Sequence, residues 1–329
     1  MLDDLRAVLD RYPAVARPSA PPEPLGNAGG LSGSRLWRYA SGRGRLVARA
    51  WPVDGRPRMA IEQIHRWLGE ASGLGFVPIP LAALDGRTLH ERGGRLWEVD
   101  PWLAGTAAPG PPPPSRLRAG FAALAAFHQR LCSDRTRGPS PGLQDRLHEV
   151  EILLGGGLTA LDRVLGQASA DPLAAPAKRW LALARWTAPR LVESLRRASG
   201  RVVALQPCLR DARPEHLLFE GDRVTGLVDF GAMAVESVAA DLARLLAEWI
   251  GPDRTARAEA LDAYAAIRPL DESETVLIEA FEASAALLGA GHWVRWHFVE
   301  GRPFDAPGAV ERRIEHGLER LARLAAGLA

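Results

Sequence analysis

The stretch "CLRDARPEHLLFEGDRVTGLVDFG", residues 208–231, contains two aspartates at points where the chain reverses. Asp211 follows an apolar run, and Asp229 precedes a Phe-Gly pair. Two strand-like segments lie between them and are joined by a Gly-Asp turn at 221–222, which predicts a hairpin. Asp211 and Asp229 then lie at the loop ends of neighbouring strands, and we expect both carboxylates to face one cleft.

Two carboxylates in one cleft repel each other unless a cation or a shared proton lies between them. The pair therefore favours a divalent metal with a substrate beside it. Phosphoryl transfer uses such a pair, because one Asp positions the acceptor hydroxyl and the other holds the metal that bridges the nucleotide phosphates. Aspartates at hairpin ends are also common turn formers, so the spacing alone leaves a purely structural interpretation open.

Length and composition are those of a globular protein. A chain of 329 residues favours two lobes, and 47% hydrophobic with 24% charged residues is an ordinary balance. The formal charge of +2 gives no reason to expect nucleic acid or a membrane as partner. Cys132 and Cys208 lie too far apart for a metal-ligand spacing, and neither a secretory signal nor a membrane span is recognisable. These features predict a cytoplasmic protein.

The periodicity of the chain changes near residue 105. Before it, the pattern predicts a small antiparallel sheet carrying one helix. The proline-rich run 105–115 cannot sustain a helix or an inner strand and marks a lobe boundary. We predict an α+β fold with an N-lobe over 1–103 and a mainly helical C-lobe over 104–329. The predicted elements are helices over 1–12, 58–71, 116–131, 143–166 and 176–198, and strands over 35–39, 46–51 and 76–84 and within 87–103.

The order of these features resembles the aminoglycoside phosphotransferase and choline kinase branch of the protein-kinase-like superfamily, over most of the chain. In that family H-x-D-x-x-x-x-N precedes a D-F-G-like segment, and here "LRDARPEH" precedes "DFG". The resemblance implies a bilobal protein-kinase-like fold, ATP and Mg²⁺ (or Mn²⁺) as cofactors, and transfer of the γ-phosphate to a hydroxyl of a small-molecule substrate. It assigns Asp211 as the catalytic aspartate and Asp229 as a metal ligand.

Two positions of this motif depart from the family pattern. Leu209 stands where the family usually has histidine, and His216 stands where it has the asparagine that supports the second metal. Imidazole binds metals, although Mg²⁺ prefers oxygen ligands. His216 is therefore either a metal ligand or a brace for Asp211, and a packed loop histidine is also possible.

The resemblance also implies a nucleotide site in the N-lobe. Lys178 is the only lysine, so the family's phosphate-binding lysine is replaced by Arg49, which we expect to pair with Glu62 of the following helix. An exposed strand arginine with a surface ion pair is the alternative. The remaining predicted nucleotide-binding residues are Gly29, Gly30, Ser32 and Gly33 of the glycine-rich loop, with Glu98, Asp100 and Trp102 of the connector. Trp102 is equally a candidate for packing at the lobe interface, and core packing is the favoured role of its ring.

The acceptor and the activity itself are less defined. Residues 289–304 concentrate histidine, tryptophan and arginine on one predicted helix, which either packs in the core or lines a site for a small polar ligand. The motif departures also leave open a pseudokinase that binds or senses nucleotide without turnover. Retention of both Asp211 and Asp229 favours the enzyme.

Overall fold

Two compact units make up the chain. The first comprises Met1–Cys132, Pro207–Ala234 and Glu248–Pro269, and the second comprises Ser133–Gln206, Val235–Ala247 and Leu270–Ala329. The lobe boundary expected after residue 103 stays a prediction. The computed structural model describes residues 1–26, 33–132, 136–168, 170–302, 304 and 307–328.

Helices and strands alternate along the first third of the chain, and helices dominate the rest. The helices are α1 (Leu2–Leu9), α2 (Arg58–Glu70), α3 (Pro114–Arg130), α4 (Pro141–Ile152), α5 (Leu158–Gln167), α6 (Ala174–Ser199), α7 (Ala239–Leu245), α8 (Arg254–Ala265), α9 (Glu272–Phe298) and α10 (Pro307–Leu328). The strands are β1 (Glu23–Gly26), β2 (Arg35–Ser41), β3 (Gly44–Ala50), β4 (His90–Arg92), β5 (Arg95–Pro101), β6 (Thr106–Ala107), β7 (Arg137–Gly138), β8 (Val203–Ala204), β9 (Gln206–Cys208), β10 (Leu217–Glu220), β11 (Arg223–Leu227) and β12 (Ala234–Glu236).

The first unit is built on an antiparallel sheet. Within the described residues its five strands lie in the order β1-β2-β3-β5-β4. Alternate side chains of β2 and β3 are buried, as the period-2 pattern predicts, and they pack with the apolar face of α1. Trp37 stacks on Trp97 within this core, with ring centroids 5.4 Å apart. The sheet confirms the α+β prediction and brings Arg49 of β3 opposite Glu98 of β5.

The predicted strand over 76–84 was wrong. Residues 76–84 form no strand in the described structure. The segment makes isolated backbone bonds instead, from Leu81 N to Val99 O at 2.8 Å and from Ala83 N to Arg87 O at 2.8 Å. Pro78 and Pro80 lack the amide hydrogens that a continuous ladder needs, which accounts for the difference.

The hairpin of β10 and β11 confirms the predicted turn at Gly221 and Asp222. β6 extends the hairpin to three strands among the described residues. α3 packs beside it and against α8. Phe121 of α3 stacks on Trp249, whose indole Nε1 donates to the Ala108 carbonyl at 2.9 Å. Trp249 also packs against Phe219 of β10, so this packing supports the hairpin. Asp229 follows β11 closely, whereas Asp211 lies in the loop after β9.

The second unit is mainly helical. α6, α9 and α10 pack against one another, and α4 and α5 pack on α6. α9 begins with a capping box between Asp271 and Glu274, and Trp180 of α6 donates to the Leu287 carbonyl at 2.9 Å. None of the helices described is long and apolar enough to serve as a membrane span. The packed helices α4, α5, α6, α9 and α10 form the mainly helical part that the periodicity predicted.

Candidate active site

Asp211 lies in the loop between β9 and a 3₁₀ turn, and Arg213 holds its carboxylate. The Arg213 Nε donates to Asp211 Oδ1 at 2.9 Å, and its Nη1 lies 3.9 Å from Glu248 Oε2. Burial lowers the pKa of Arg213, but the charges of Glu248 and Asp211 outweigh it and raise the pKa above its usual value. The guanidinium therefore stays charged and orients the carboxylate of Asp211.

Asp229 lies at the other corner in a strained backbone conformation. Its φ of 62° and ψ of 65° are left-handed, and Arg210, next to Asp211, has a φ of 63°. These are the only non-glycine residues with positive φ in the described part of the chain. A left-handed conformation costs a non-glycine residue about 1–2 kcal/mol, and such strain concentrates at functional sites. Both predicted functional corners thus carry backbone strain.

His216 connects the two corners. Its ring Nδ1 lies 2.9 Å from the backbone carbonyl of Asp211, and its Nε2 lies 3.6 Å from Asp229 Oδ2. The His216 carbonyl also accepts from Val228 N at 3.0 Å, directly before Asp229. The prediction that the two aspartate corners lie near each other is consistent with these contacts, because a single imidazole reaches both.

The turn after Asp229 is held from two sides. Phe230 is buried and packs against Phe127 of α3, with ring centroids 5.7 Å apart. Arg56, in the loop before α2, donates to the carbonyls of Ala232 and Met233 at 3.0 and 2.9 Å. Burial, together with the charge of Arg210, lowers the pKa of Arg56. Arg56 links the loop ahead of α2 to the Asp229 turn.

The expected pairing of Arg49 with Glu62 was wrong. Arg49 Nε lies 3.4 Å from Glu98 Oε1, an ion pair without hydrogen-bond geometry, and Glu62 pairs with Arg58 at 3.4 Å. The cross-strand register decides this, because β3 and β5 bring Arg49 directly opposite Glu98. The guanidinium of Arg49 also lies over the ring of Trp51, at 5.1 Å from its centroid.

Glu98 is buried at the centre of a polar cluster. Its Oε2 accepts from Trp51 Nε1 at 2.9 Å and from His65 Nε2 at 2.8 Å. Burial raises the pKa of Glu98, but the hydrogen bond from His65 and the charge of Arg49 hold it below its usual range. The carboxylate is therefore ionised and held by His65 of α2, by Trp51 directly after β3 and by Arg49 of β3. The backbone of Glu98 belongs to the sheet ladder.

Asp100 and Trp102 continue the connector that was predicted to contact nucleotide. Burial, followed by the charge of Glu98, raises the pKa of Asp100 to about 7. The Trp102 amide donates to the Arg45 carbonyl at 2.9 Å, and the guanidinium of Arg38 lies 5.1 Å from the ring centroid of Trp102. The Trp102 amide is thus committed to the edge of the sheet.

The glycine-rich loop is described only at its end. Gly33 has a φ of 71°, which only glycine adopts without strain, and it lies just before β2. Gly29, Gly30 and Ser32, predicted to cover the phosphates, lie outside the described residues. Their roles, like that of Gly33, stay predictions.

The aromatic stripe of α9 is half-buried rather than core. His292 Nε2 lies 2.6 Å from Glu149 Oε2, and His297 Nε2 lies 2.8 Å from Asp171 Oδ2. His292 and Arg295 border a cavity of about 250 Å³ within the second unit, whose walls are mainly apolar side chains such as Leu161.

His128 of α3 is buried and its Nδ1 bonds the Tyr264 hydroxyl at 2.8 Å, as expected for a packing residue.

The sequence interpretation missed four residues of this region: Arg56, His65, Arg213 and Glu248. Arg213 lies two residues after Asp211, so its charge was a usable local signal. His65 lies on the buried face of α2, one residue after Ile64. Arg56 and Glu248 are far from their partners in sequence, and no local pattern indicates their contacts.

Comparisons with known proteins identify the family of the chain. The model of the phosphotransferase enzyme family matches residues 25–274, which is more than half of the chain. A search of curated proteins finds no match. The matched segment includes both aspartate corners, Arg49 and Glu98.

Solved structures of kinases share the fold. A choline/ethanolamine kinase family protein from Mesorhizobium loti is 20% identical, with 99% of this chain and 98% of that chain covered and a TM-score of 0.60. Spectinomycin phosphotransferase in complex with ADP and spectinomycin is 11% identical, with 90% and 89% covered and a TM-score of 0.61. Amicoumacin kinase hAmiN in complex with AMP-PNP, Ca²⁺ and Ami is 13% identical, with 87% and 86% covered and a TM-score of 0.60. The family resemblance carried by "LRDARPEH" and "DFG" is confirmed, and the chain belongs to the phosphotransferase enzyme family.

Proposed function

We propose that this protein is a small-molecule kinase that transfers the γ-phosphate of ATP to a hydroxyl group with the help of a divalent metal. One observation carries the proposal: His216 reaches both the backbone of Asp211 and the carboxylate of Asp229. Two corners that phosphoryl transfer requires together are therefore joined through one side chain.

Asp211 is the proposed catalytic residue. Arg213 holds one of its carboxylate oxygens at 2.9 Å, which orients the group so that it can accept the proton of the acceptor hydroxyl. The carboxylate of Asp211 is the proposed point of contact with that hydroxyl. Positioning of the acceptor hydroxyl in this way accounts for much of the rate acceleration in enzymatic phosphoryl transfer.

Asp229 and His216 are the proposed metal ligands. The donor set fits a divalent cation, because the Asp229 side chain is 53% exposed and anionic while the Nε2 of His216 lies beside it. The metal, Mg²⁺ or Mn²⁺, supplies charge neutralisation of the phosphate oxygens when bound. Arg56 and Phe230 keep the Asp229 turn in the conformation that presents the carboxylate.

Arg49 is the proposed phosphate contact of the nucleotide site, held by Glu98 in place of the expected Glu62. The solved kinases with bound ADP or AMP-PNP support nucleotide as the donor. The competing function is a pseudokinase. It is favoured by the replacement of the family lysine by Arg49 and of the family asparagine by His216.

The test combines binding with turnover. Thermal shifts are recorded with ATP in the presence and absence of Mg²⁺ or Mn²⁺, and phosphate release from ATP is followed with water as the acceptor. We expect metal-dependent stabilisation by ATP and slow metal-dependent phosphate release. Asp211→Asn should keep the stabilisation and lose at least about 100-fold in release, whereas Asp229→Asn should lose both.

Asp222→Asn, at the exposed hairpin turn, is the control and should behave as the wild type. Stabilisation by ATP that needs no metal, without phosphate release, would establish the pseudokinase instead. Unchanged release in Asp211→Asn would remove the proposed catalytic role of Asp211.

A further inference from the structure

The ring of His216 has a fixed orientation and a defined proton. Its Nδ1 lies 2.9 Å from the Asp211 carbonyl oxygen, which only accepts hydrogen bonds, so Nδ1 carries the hydrogen. The backbone of His216 is also held, because its amide donates to the Arg213 carbonyl at 3.0 Å and its carbonyl accepts from Val228 at 3.0 Å. In the neutral ring, Nε2 therefore presents a lone pair.

The Nε2 atom lies near the carboxylate of Asp229. Nε2 lies 3.6 Å from Asp229 Oδ2, which is longer than a hydrogen bond. Donor atoms bound to one ion at about 2.0–2.2 Å lie roughly 2.9–4.3 Å apart, depending on the angle at the ion. The observed separation falls inside that range. The His216 side chain is only 12% exposed, whereas the Asp229 side chain is 53% exposed.

The surroundings of the ring match those of metal-bound histidines. A ligating histidine almost always donates its second ring N–H to a carbonyl, carboxylate or water, which fixes its tautomer and orientation. The hydrogen bond from Nδ1 to the Asp211 carbonyl supplies this contact. Because that carbonyl belongs to the proposed catalytic residue, a cation at Nε2 would be coupled to the backbone of Asp211.

We infer that Nε2 of His216 and the carboxylate of Asp229 form a mixed nitrogen–oxygen cation site that takes Mn²⁺ and similar transition-metal ions in preference to Mg²⁺. This inference rests on the proposed function and goes beyond it, because it specifies the cation and the ligating atom. Mg²⁺ prefers oxygen ligands in a rigid octahedron, whereas imidazole nitrogen favours first-row transition metals. Asparagine at this position would offer an oxygen and remove the preference.

The direct test is pulsed electron paramagnetic resonance of the Mn²⁺·ATP complex of the full chain. The protein is prepared with natural histidine and with ¹⁵N-labelled histidine, so that no substitution is needed. We expect a nitrogen coupling to Mn²⁺ that changes from ¹⁴N to ¹⁵N with the label. A bound Mn²⁺·ATP complex whose spectrum does not respond to the label would overturn the inference and leave the proposed function standing.

Metal affinities give an independent readout. The ratio of the Mg²⁺ and Mn²⁺ dissociation constants, measured with ATP present, should fall by about tenfold or more in His216→Asn. The control is His297→Asn, because His297 Nε2 bonds a carboxylate directly at 2.8 Å, and there the ratio should not change. An unchanged ratio in a folded His216→Asn protein contradicts the inference. If ATP binding needs no metal at all, the proposed function and this inference both fail.

Discussion

Arg49 and Glu98 face each other across β3 and β5, with Arg49 Nε 3.4 Å from Glu98 Oε1. The same carboxylate accepts hydrogen bonds from Trp51, directly after β3, and from His65 of α2. Glu98 thereby replaces the predicted helix glutamate as the partner of the strand arginine. Helix α2 still contributes to this cluster, because its His65 bonds the Glu98 carboxylate.

The first prediction concerns this cluster. Glu98→Ala should lower the free energy of unfolding by about 3 kcal/mol, because it leaves Arg49 without its counter-charge and His65 and Trp51 without their common buried acceptor. Glu62→Ala is the control. It removes only a half-exposed pair with Arg58 and should cost less than about 1 kcal/mol. Urea denaturation measures both, and equal losses would show that Glu98 is not the centre of the cluster.

The second prediction concerns backbone strain at Asp229, whose φ is 62°. Asp229→Gly and Asp229→Ala both remove the carboxylate, so the difference between them isolates the backbone. Asp229→Gly should be more stable than Asp229→Ala by on the order of 1 kcal/mol, because glycine adopts positive φ without strain.

A site in helix α2, where the backbone is right-handed, is the control for the comparison of Asp229→Gly with Asp229→Ala, and there the order of stability should be reversed. At the exposed Arg66, Gly should be less stable than Ala by about 1 kcal/mol, since the backbone there is helical. Thermal denaturation of the four proteins gives the comparison. The strain interpretation fails if the Gly and Ala variants rank in the same order at both sites.

The third prediction concerns the pH dependence of stability at Asp100. The pKa of Asp100 is raised to about 7 in the folded chain, mainly by burial. Between about pH 4 and pH 7 the unfolded chain has released this proton while the folded chain retains it. The contribution of Asp100 to stability therefore decreases as the pH rises through this window, by at most about 4 kcal/mol, and stays low above pH 7.

Asp100→Asn removes that titration. The variant should be more stable than the wild type at pH 8, by about 1–2 kcal/mol, and the difference should disappear towards pH 4. Denaturant unfolding across this pH range measures it, with the exposed Asp54→Asn as control. A difference that grows as the pH falls would have the wrong sign.

The fourth prediction concerns Arg56, which donates to the carbonyls of Ala232 and Met233. Arg56→Lys cannot reproduce the two-nitrogen contact, because an ammonium offers a single nitrogen. The turn after Asp229 should then open more often, and amides 230–234 should exchange hydrogen several-fold faster. Arg58→Lys is the control, since Arg58 pairs with Glu62 and Glu91 instead. Equal exchange rates at 230–234 in both variants would argue against the link.

Much of the architecture follows from local sequence patterns. Helical spacing predicted α2 over 58–71, and it is observed at Arg58–Glu70. The Gly-Asp turn predicted the β10–β11 hairpin correctly, because turn chemistry and strand alternation are set by neighbouring residues. The segment 76–84 failed because its apolar pattern resembles a strand while its prolines block the ladder.

Local sequence patterns could not predict which residues pair with the charged side chains. "LRDARPEH" and "DFG" identified Asp211, His216 and Asp229 as a group, since the motif carries its own spacing. Which acid meets Arg49 depended on the register between β3 and β5, and the contact of Arg56 with the Asp229 turn spans more than 170 residues. Such contacts depend on how distant segments of the chain pack together. Coulomb attraction and burial act between residues that are close in space, and the local spacing of residues in the sequence does not show which distant residues will be close.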